Sequence, residues 1–210
     1  MYLSRIEIDS ANRRKIKDLS HLGAFHNWVE NCFPNEMQEG KRLRHLWRID
    51  KLQGKEYLLL LSEEKPDVAM LERYGVIGTV QCKEYTPFLS RLAAKQKARF
   101  RLTANPSYRK CAPGQKNGKV YPHITLQQQK EWMQKHAAMA GFSVTEKGFD
   151  VVERGYPILY KGNRRVGLSR VTYEGILEII DLEKFRKALS QGIGREKAYG
   201  MGLLTVIPLG

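Results

Sequence analysis

Residues 2–8, Tyr-Leu-Ser-Arg-Ile-Glu-Ile, alternate apolar and polar side chains. A period of two puts every second residue on one face, so this stretch predicts a half-buried strand. The period then changes. Ser10 and Asn12 can cap a helix on which Ile16, Leu19, Leu22, Val29 and Phe33 lie near one face, with Pro34 as its end. Gly23 interrupts that pattern, so the helix bends or restarts there. Residues 43–50 and 56–62 read as strands joined through Gly54. Pro66 and Asp67 open a short helix over 68–74, and residues 76–83 make a fourth strand. Strand, helix, strand, strand, helix, strand is the split βαβ order of a ferredoxin-like domain.

Residues 84–97 carry Pro87 and a dense basic run, 91–97, predicted as a helix. The domain junction is placed there: residues 1–86 form the first domain, 87–97 a basic linker, and 98–210 the second domain. The element order then repeats. A strand over 98–104 is stopped by Asn105-Pro106. A loop over 107–123 carries Arg109, Lys110, Lys116 and Lys119, and residues 126–140 are helical. Residues 142–152 and 165–180 read as a long hairpin carrying Arg164, Arg165 and Arg170. Asp181 caps a helix ending at Leu189, and the last strand is 203–207. The repeat is one of element order, not of identity. The predicted fold class is α+β, with two tandem ferredoxin-like (RRM-like) βαββαβ domains.

A chain of 210 residues has room for two such domains, and 42% hydrophobic residues can fill their cores. Charge adds the partner. Lys and Arg total 36 against 22 Asp and Glu, a formal net charge of +14. That excess points to a polyanion, with nucleic acid first. Strands of this fold can serve as an RNA platform, but no RNP-like aromatic pair lies on them. The basic residues gather in loops and the hairpin, which points to phosphate contacts more than to base stacking. Cys32, Cys82 and Cys111 are far apart and form no C-x-x-C pair, so a reducing cytoplasm is expected. The N-terminal residues are interrupted by charge, unlike a signal peptide, and no apolar run approaches the ~20 residues of a membrane helix. Among the five histidines there is no H-x-x-x-H pair, so no metal site and no cofactor are expected.

Near the C-terminus, Gly192, Gly194, Gly200 and Gly202 surround Arg195, Lys197 and Tyr199. The segment joins a helix to a strand, the wrong order for a Walker A or dinucleotide-binding loop. It is either a glycine-rich connector or a backbone cradle, flanked by two cations, for an RNA phosphate. Candidate chemistry lies in the first helix. A basic protein can cleave RNA without metal if neutral imidazole takes the proton of a 2′-hydroxyl. The oxygen then attacks the adjacent phosphorus, and a nearby cation stabilises the phosphorane. His26 shares the stripe of Leu19, Leu22 and Val29, and His21 that of Phe25, Trp28 and Cys32. Helical position alone leaves both open.

Four segments together resemble the CasE family, the CRISPR RNA-processing endoribonucleases of type I-E systems. They are Met1-Tyr-Leu-Ser-Arg; His26 with Phe33-Pro34; Phe100-Arg-Leu-Thr-Ala-Asn-Pro; and Tyr173-Glu-Gly-Ile-Leu with the glycine segment from Gly192 to Leu204. The match spans the chain. It implies tandem ferredoxin-like domains, a CRISPR repeat stem-loop as substrate, and metal-independent cleavage at the 3′ base of the hairpin. It also implies that the product stays bound among the other subunits of the Cascade complex. Its register selects His26 as the catalytic residue. Some relatives have a tyrosine where this chain has Gly23 and a basic residue where it has Asn31. The cation opposite the phosphorane therefore stays open among Lys41, Arg42, Arg44, Arg195 and Lys197. The expected RNA-contacting set is Arg91, Lys95, Lys97, Arg109, Lys110, Arg164, Arg165, Arg170, Gly194, Arg195, Lys197 and Gly200. The alternative reading is a hairpin-binding subunit that no longer cleaves.

Overall fold

The computed structural model describes residues 1–41, 43–111, 118–161 and 164–209. Arg42 and Lys116 lie outside the described residues, and so does the side chain of Arg164.

Strand β1 (Tyr2–Glu7) buries Ser4 and Ile6, two residues apart, as its alternation requires. Asn12 caps α1 (Arg13–Ile16) by accepting the Lys15 N–H at 3.1 Å. The helix then stops and restarts. His21 caps α2 (Leu22–Asn31) through Nδ1, which accepts the Ala24 N–H at 3.3 Å. Pro34 opens a further helix, α3 (Pro34–Gln38), because a first-turn residue has no intrahelical N–H bond to lose. Strands β2 (Leu46–Leu52) and β3 (Lys55–Ser62) are joined through Gln53 and Gly54, both at positive φ. Asp67 caps α4 (Val68–Glu72). Strand β4 (Gln81–Glu84) starts later than expected. Before it, Val76 N–H bonds to Glu7 and Thr79 N–H bonds back to Val76, so that stretch turns instead of extending. The four strands form an antiparallel sheet in the order β2-β3-β1-β4.

The basic helix expected over 91–97 does not form. Pro87 starts α5 one turn earlier, at Thr86–Ser90. Lys95 then takes a left-handed φ of 63°, and Lys97 already belongs to β5 (Lys97–Ala104). Arg186 holds this turn in place, donating to the carbonyls of Leu89, Ser90 and Leu92. The expected loop over 107–123 contains a hairpin of β6 (Ser107–Lys110) and β7 (Lys119–Pro122). Helix α6 (Leu126–Met139) starts at a capping box of Thr125 and Gln128. Strands β8 (Phe142–Ser143) and β9 (Phe149–Gly155) both pair with β12 (Arg170–Ile179). A smaller hairpin of β10 (Ile158–Lys161) and β11 (Arg164–Gly167) projects between β9 and β12. Asp181 caps α7 (Leu182–Gln191), and β13 (Leu204–Pro208) closes the sheet beside β5. The second sheet runs β13-β5-β12-β8, with β9 also on β12. Both sheets therefore place the first and third strands in the middle, which is the ferredoxin-like order.

Ile6, Trp28, Val29, Phe33, Leu58 and Leu60 form one core under α2. The larger core lies between the second sheet and α6 and α7, and it also takes in Leu46, Leu61 and Tyr85 from the first half. Arg48 fixes the junction with its side chain only 3% exposed. It donates to the carbonyls of Arg101 and Leu203 at 3.0 Å, to Thr205 at 2.9 Å, and to both carboxylate oxygens of Asp50 at 2.7 and 2.8 Å. All five guanidinium N–H groups thus have acceptors, which makes burial of the charge tolerable.

Candidate active site

Helix α2 turns Trp28, Val29 and the end of the helix, Cys32, into the core. The Trp28 indole also donates to the Met70 carbonyl at 3.0 Å. His26 is left at the edge of that packing, with its side chain 34% exposed. His21 has its Nδ1 engaged as the helix cap, so the two histidines are not equivalent.

The glycine segment meets α2 here. After α7, Ile193 and Gly202 are joined by an N–H···O bond of 2.9 Å, and Gly202 donates to Thr103 of β5. Within that loop Lys197–Tyr199 form one 3₁₀ turn. The Trp47 indole of β2 donates to the Ala198 carbonyl at 3.0 Å. This contact brings the Tyr199 ring edge-on to His26, with centroids 5.5 Å apart. Gly194 and Gly200 sit at φ 83° and 77°. A Cβ at Gly200 would stand 2.6 Å from the Trp47 ring, and one at Gly194 would stand 3.1 Å from Trp132. A side chain at either glycine would therefore meet protein and a left-handed backbone. The space beside both α-carbons is filled by protein.

A cleft of about 620 Å³ opens beside the loop. His26, Asn27, Glu30 and Asn31 line it from α2, Lys41, Arg44 and His45 from the segment entering β2, and Ala198 from the loop. Lys41 is tied to Glu39 at 2.6 Å. Arg44 is exposed and has no ion pair among the described residues. It also borders a neighbouring hollow with Lys197, whose ammonium is held below its ordinary pKa by burial and by the Arg44 charge. Arg195 is exposed on the loop but does not line the cleft.

Sequence reasoning missed the floor of this cleft. His45 is buried face-on against Phe33, with centroids 3.9 Å apart. Its Nδ1 is 2.9 Å from Glu30 Oε1, and its Nε2 is 3.1 Å from Glu36 Oε1. Burial works against the charged ring, but the two carboxylate hydrogen bonds outweigh it and hold the pKa above the ordinary histidine value. Glu36 is itself buried, and its other oxygen accepts the Leu43 N–H at 3.2 Å. The only sequence signal was the spacing of His26 and Glu30, one helical turn apart.

The remaining expected RNA contacts divide. The β10–β11 hairpin, with Arg165 exposed, packs Leu159 and Leu168 with Met201 against Leu22 and Tyr199, at the start of α2. Arg170 is paired with Glu153 at 3.1 Å and lines a second cleft with Leu22, Phe25, Tyr199 and Gly200. Arg109 and Lys110 are exposed on β6, beside the stacked and exposed rings of Tyr108 and Tyr121. That aromatic pair was not anticipated from the sequence. Arg91, Lys95 and Lys97 are exposed but do not line the His26 cleft. Among the described residues, no group of three or more His, Cys, Asp and Glu is arranged to hold a metal ion.

Comparison with known proteins agrees with this geometry. A family model described as CRISPR associated protein matches residues 1–208. The chain is 28% identical to the CRISPR-associated endoribonuclease Cse3 of Thermus thermophilus, covering 99% of this chain and all of that one. A solved structure of Thermus thermophilus Cse3, bound to an RNA representing a pre-cleavage complex, superposes with a TM-score of 0.80 at 26% identity, covering 99% of this chain and 98% of that one. Cas6e from Escherichia coli K-12 shares the fold, with a TM-score of 0.60 at 22% identity over the whole of both chains. From the sheet order, the helix bearing His26, the glycine loop docked on it and these matches together, the chain belongs to the CasE family of CRISPR associated proteins.

Proposed function

We propose that this chain is a metal-independent endoribonuclease that cleaves CRISPR precursor RNA at the 3′ base of the repeat stem-loop. The observation that carries the reading is the half-exposed His26 beside the docked glycine loop, in a cleft that also holds Arg44. Neutral His26 takes the proton of the 2′-hydroxyl. The O2′–P bond forms and the P–O5′ bond breaks, and the departing oxygen takes a proton from the His26 imidazolium or from water, which leaves a 2′,3′-cyclic phosphate and a 5′-hydroxyl. Arg44 faces the anionic phosphorane. It is favoured over Lys41, which is already paired, and over Arg195 and Lys197, which do not line the cleft.

Residues 1–86 and 98–210 act as the two domains, one holding the base and the other most of the grip. Arg164, Arg165 and Arg170 lie on the elements that reach α2, and with Arg109, Lys110 and the 192–202 backbone they form the stem-binding surface. Arg91, Lys95 and Lys97 extend it. The product stays bound within Cascade, in the cytoplasm, as the family resemblance implies.

The test is single-turnover cleavage of the cognate repeat RNA in excess EDTA, with analysis of the product ends. Cleavage giving a cyclic phosphate, blocked by a 2′-deoxy substitution at the scissile nucleotide, supports the mechanism. A hairpin that is bound but left intact supports the non-catalytic alternative instead.

A further inference from the structure

Glu30 follows His26 by four residues, so the helix brings both side chains to one face. Its Oε1 lies 3.8 Å from His26 Nδ1, an ion-pair separation. That nitrogen is buried and has no hydrogen-bond partner. The same oxygen accepts from His45 Nδ1, while His45 Nε2 meets the buried Glu36. Carboxylates on both nitrogens favour the ring as a double donor, which is its charged form. Of the two carboxylates on this ring, Glu30 is the one that reaches His26. Among the described residues, the other polar and charged side chains lining the cleft are Asn27 and Asn31 on α2 and Lys41 and Arg44 before β2, and the Tyr199 ring stands edge-on beside His26.

We propose that Glu30 is a positioning residue for His26, held in place by the His45–Glu36 pair behind it. Its carboxylate directs Nδ1–H of His26 toward itself and leaves Nε2 for the 2′-hydroxyl. When Nε2 takes the proton, Glu30 stabilises the imidazolium that forms. His45 and Glu36 keep the carboxylate from swinging into the cleft, where it would repel the scissile phosphate. The proposal rests on His26 being the base.

Glu30→Gln separates these roles, because the amide oxygen still accepts from His45 while the charge is gone. The experiment compares wild type, Glu30→Gln, His26→Ala and the double variant in single-turnover cleavage. Melting temperature and affinity for an uncleavable 2′-deoxy hairpin are measured in parallel. Glu30→Gln is expected to slow cleavage roughly ten- to a hundredfold, taking as a guide the carboxylates that orient metal-bound histidines. Affinity and melting temperature stay at wild-type values, and adding the change to His26→Ala costs nothing further. Wild-type cleavage by Glu30→Gln overturns the proposal, and so does an equal slowing in the His26→Ala background. A large drop in melting temperature assigns Glu30 to folding and also overturns it. If the wild-type chain itself does not cleave, the endoribonuclease reading fails instead, so the two failures are distinct.

Discussion

The two halves of the chain share a strand order, and each has a histidine on a helix between the first and second strands of its sheet, but the two histidines live differently. His26 on α2 stands at a cleft, beside Glu30 and the edge of Tyr199. His136 on α6 lies flat on Trp132, with centroids 3.9 Å apart, and its Nδ1 is 2.8 Å from the Trp132 carbonyl. Burial, only partly opposed by that hydrogen bond, holds the His136 pKa below the ordinary value. One ring has a carboxylate neighbour and room for a substrate; the other is packed as an aromatic. The same fold thus leaves an open cleft beside the histidine in one half and packs it away in the other, and the surroundings decide which.

The sharpest way to break this contrast is to remove both rings in turn. His26→Ala should lower single-turnover cleavage by about a hundred- to ten-thousandfold, the range of a lost general base. Affinity for an uncleavable hairpin should stay within a few-fold. His136→Ala should leave cleavage near wild type. Equal losses from both substitutions would abolish the distinction.

The loop that joins the halves at His26 can be broken next. Gly200→Ala combines a left-handed φ with a Cβ 2.6 Å from the Trp47 ring, so it should lower stability by more than ~1 kcal/mol in chemical denaturation. Gly194→Ala meets Trp132 at 3.1 Å and should cost less. If Gly200→Ala leaves stability unchanged while abolishing RNA binding, RNA contact, not protein packing, explains the glycine.

The second half's share in grip is tested by Arg165→Ala with Arg170→Ala. Binding should weaken, and the slope of log K against log salt should flatten by up to about 0.9 for each phosphate left without its arginine, taking the B-DNA value as a guide. Cleavage at saturating RNA should change little. An unchanged slope would remove these arginines from the interface.

The smallest effect concerns His45. Its folded-state pKa is raised, so its stabilising contribution is complete below the unfolded value of about 6.5 and is lost as pH rises through the higher folded value. Stability of wild type should therefore decline across that interval, and His45→Gln should remove that component. A pH-independent difference between the two proteins would contradict the charged His45 between Glu30 and Glu36.

Much of the fold was legible because the signals are local. The alternation in β1, the caps at Asn12, Asp67 and Asp181, and the order of elements all act within a few residues. The failures were also local, but they were competitions. The basic run at 91–97 has helix-forming side chains, yet Lys97 pairs in register with Glu178 and Arg186 clamps the turn before it. Pro34 serves as a helix start as readily as a stop, and only packing chooses.

What the sequence determined by itself was the pair of βαββαβ units, the basic surface, and His26 with the glycine segment as places of interest. Tertiary structure decided what those places are made of. Trp47 of β2 bonds to Ala198, 151 positions later, and so sets Tyr199 against His26. His45 joins Glu30 to Glu36 across 15 and nine positions. Such contacts leave no periodicity in the chain, because a side chain's neighbours across a sheet or between domains are set by the closure of the fold and not by spacing along it.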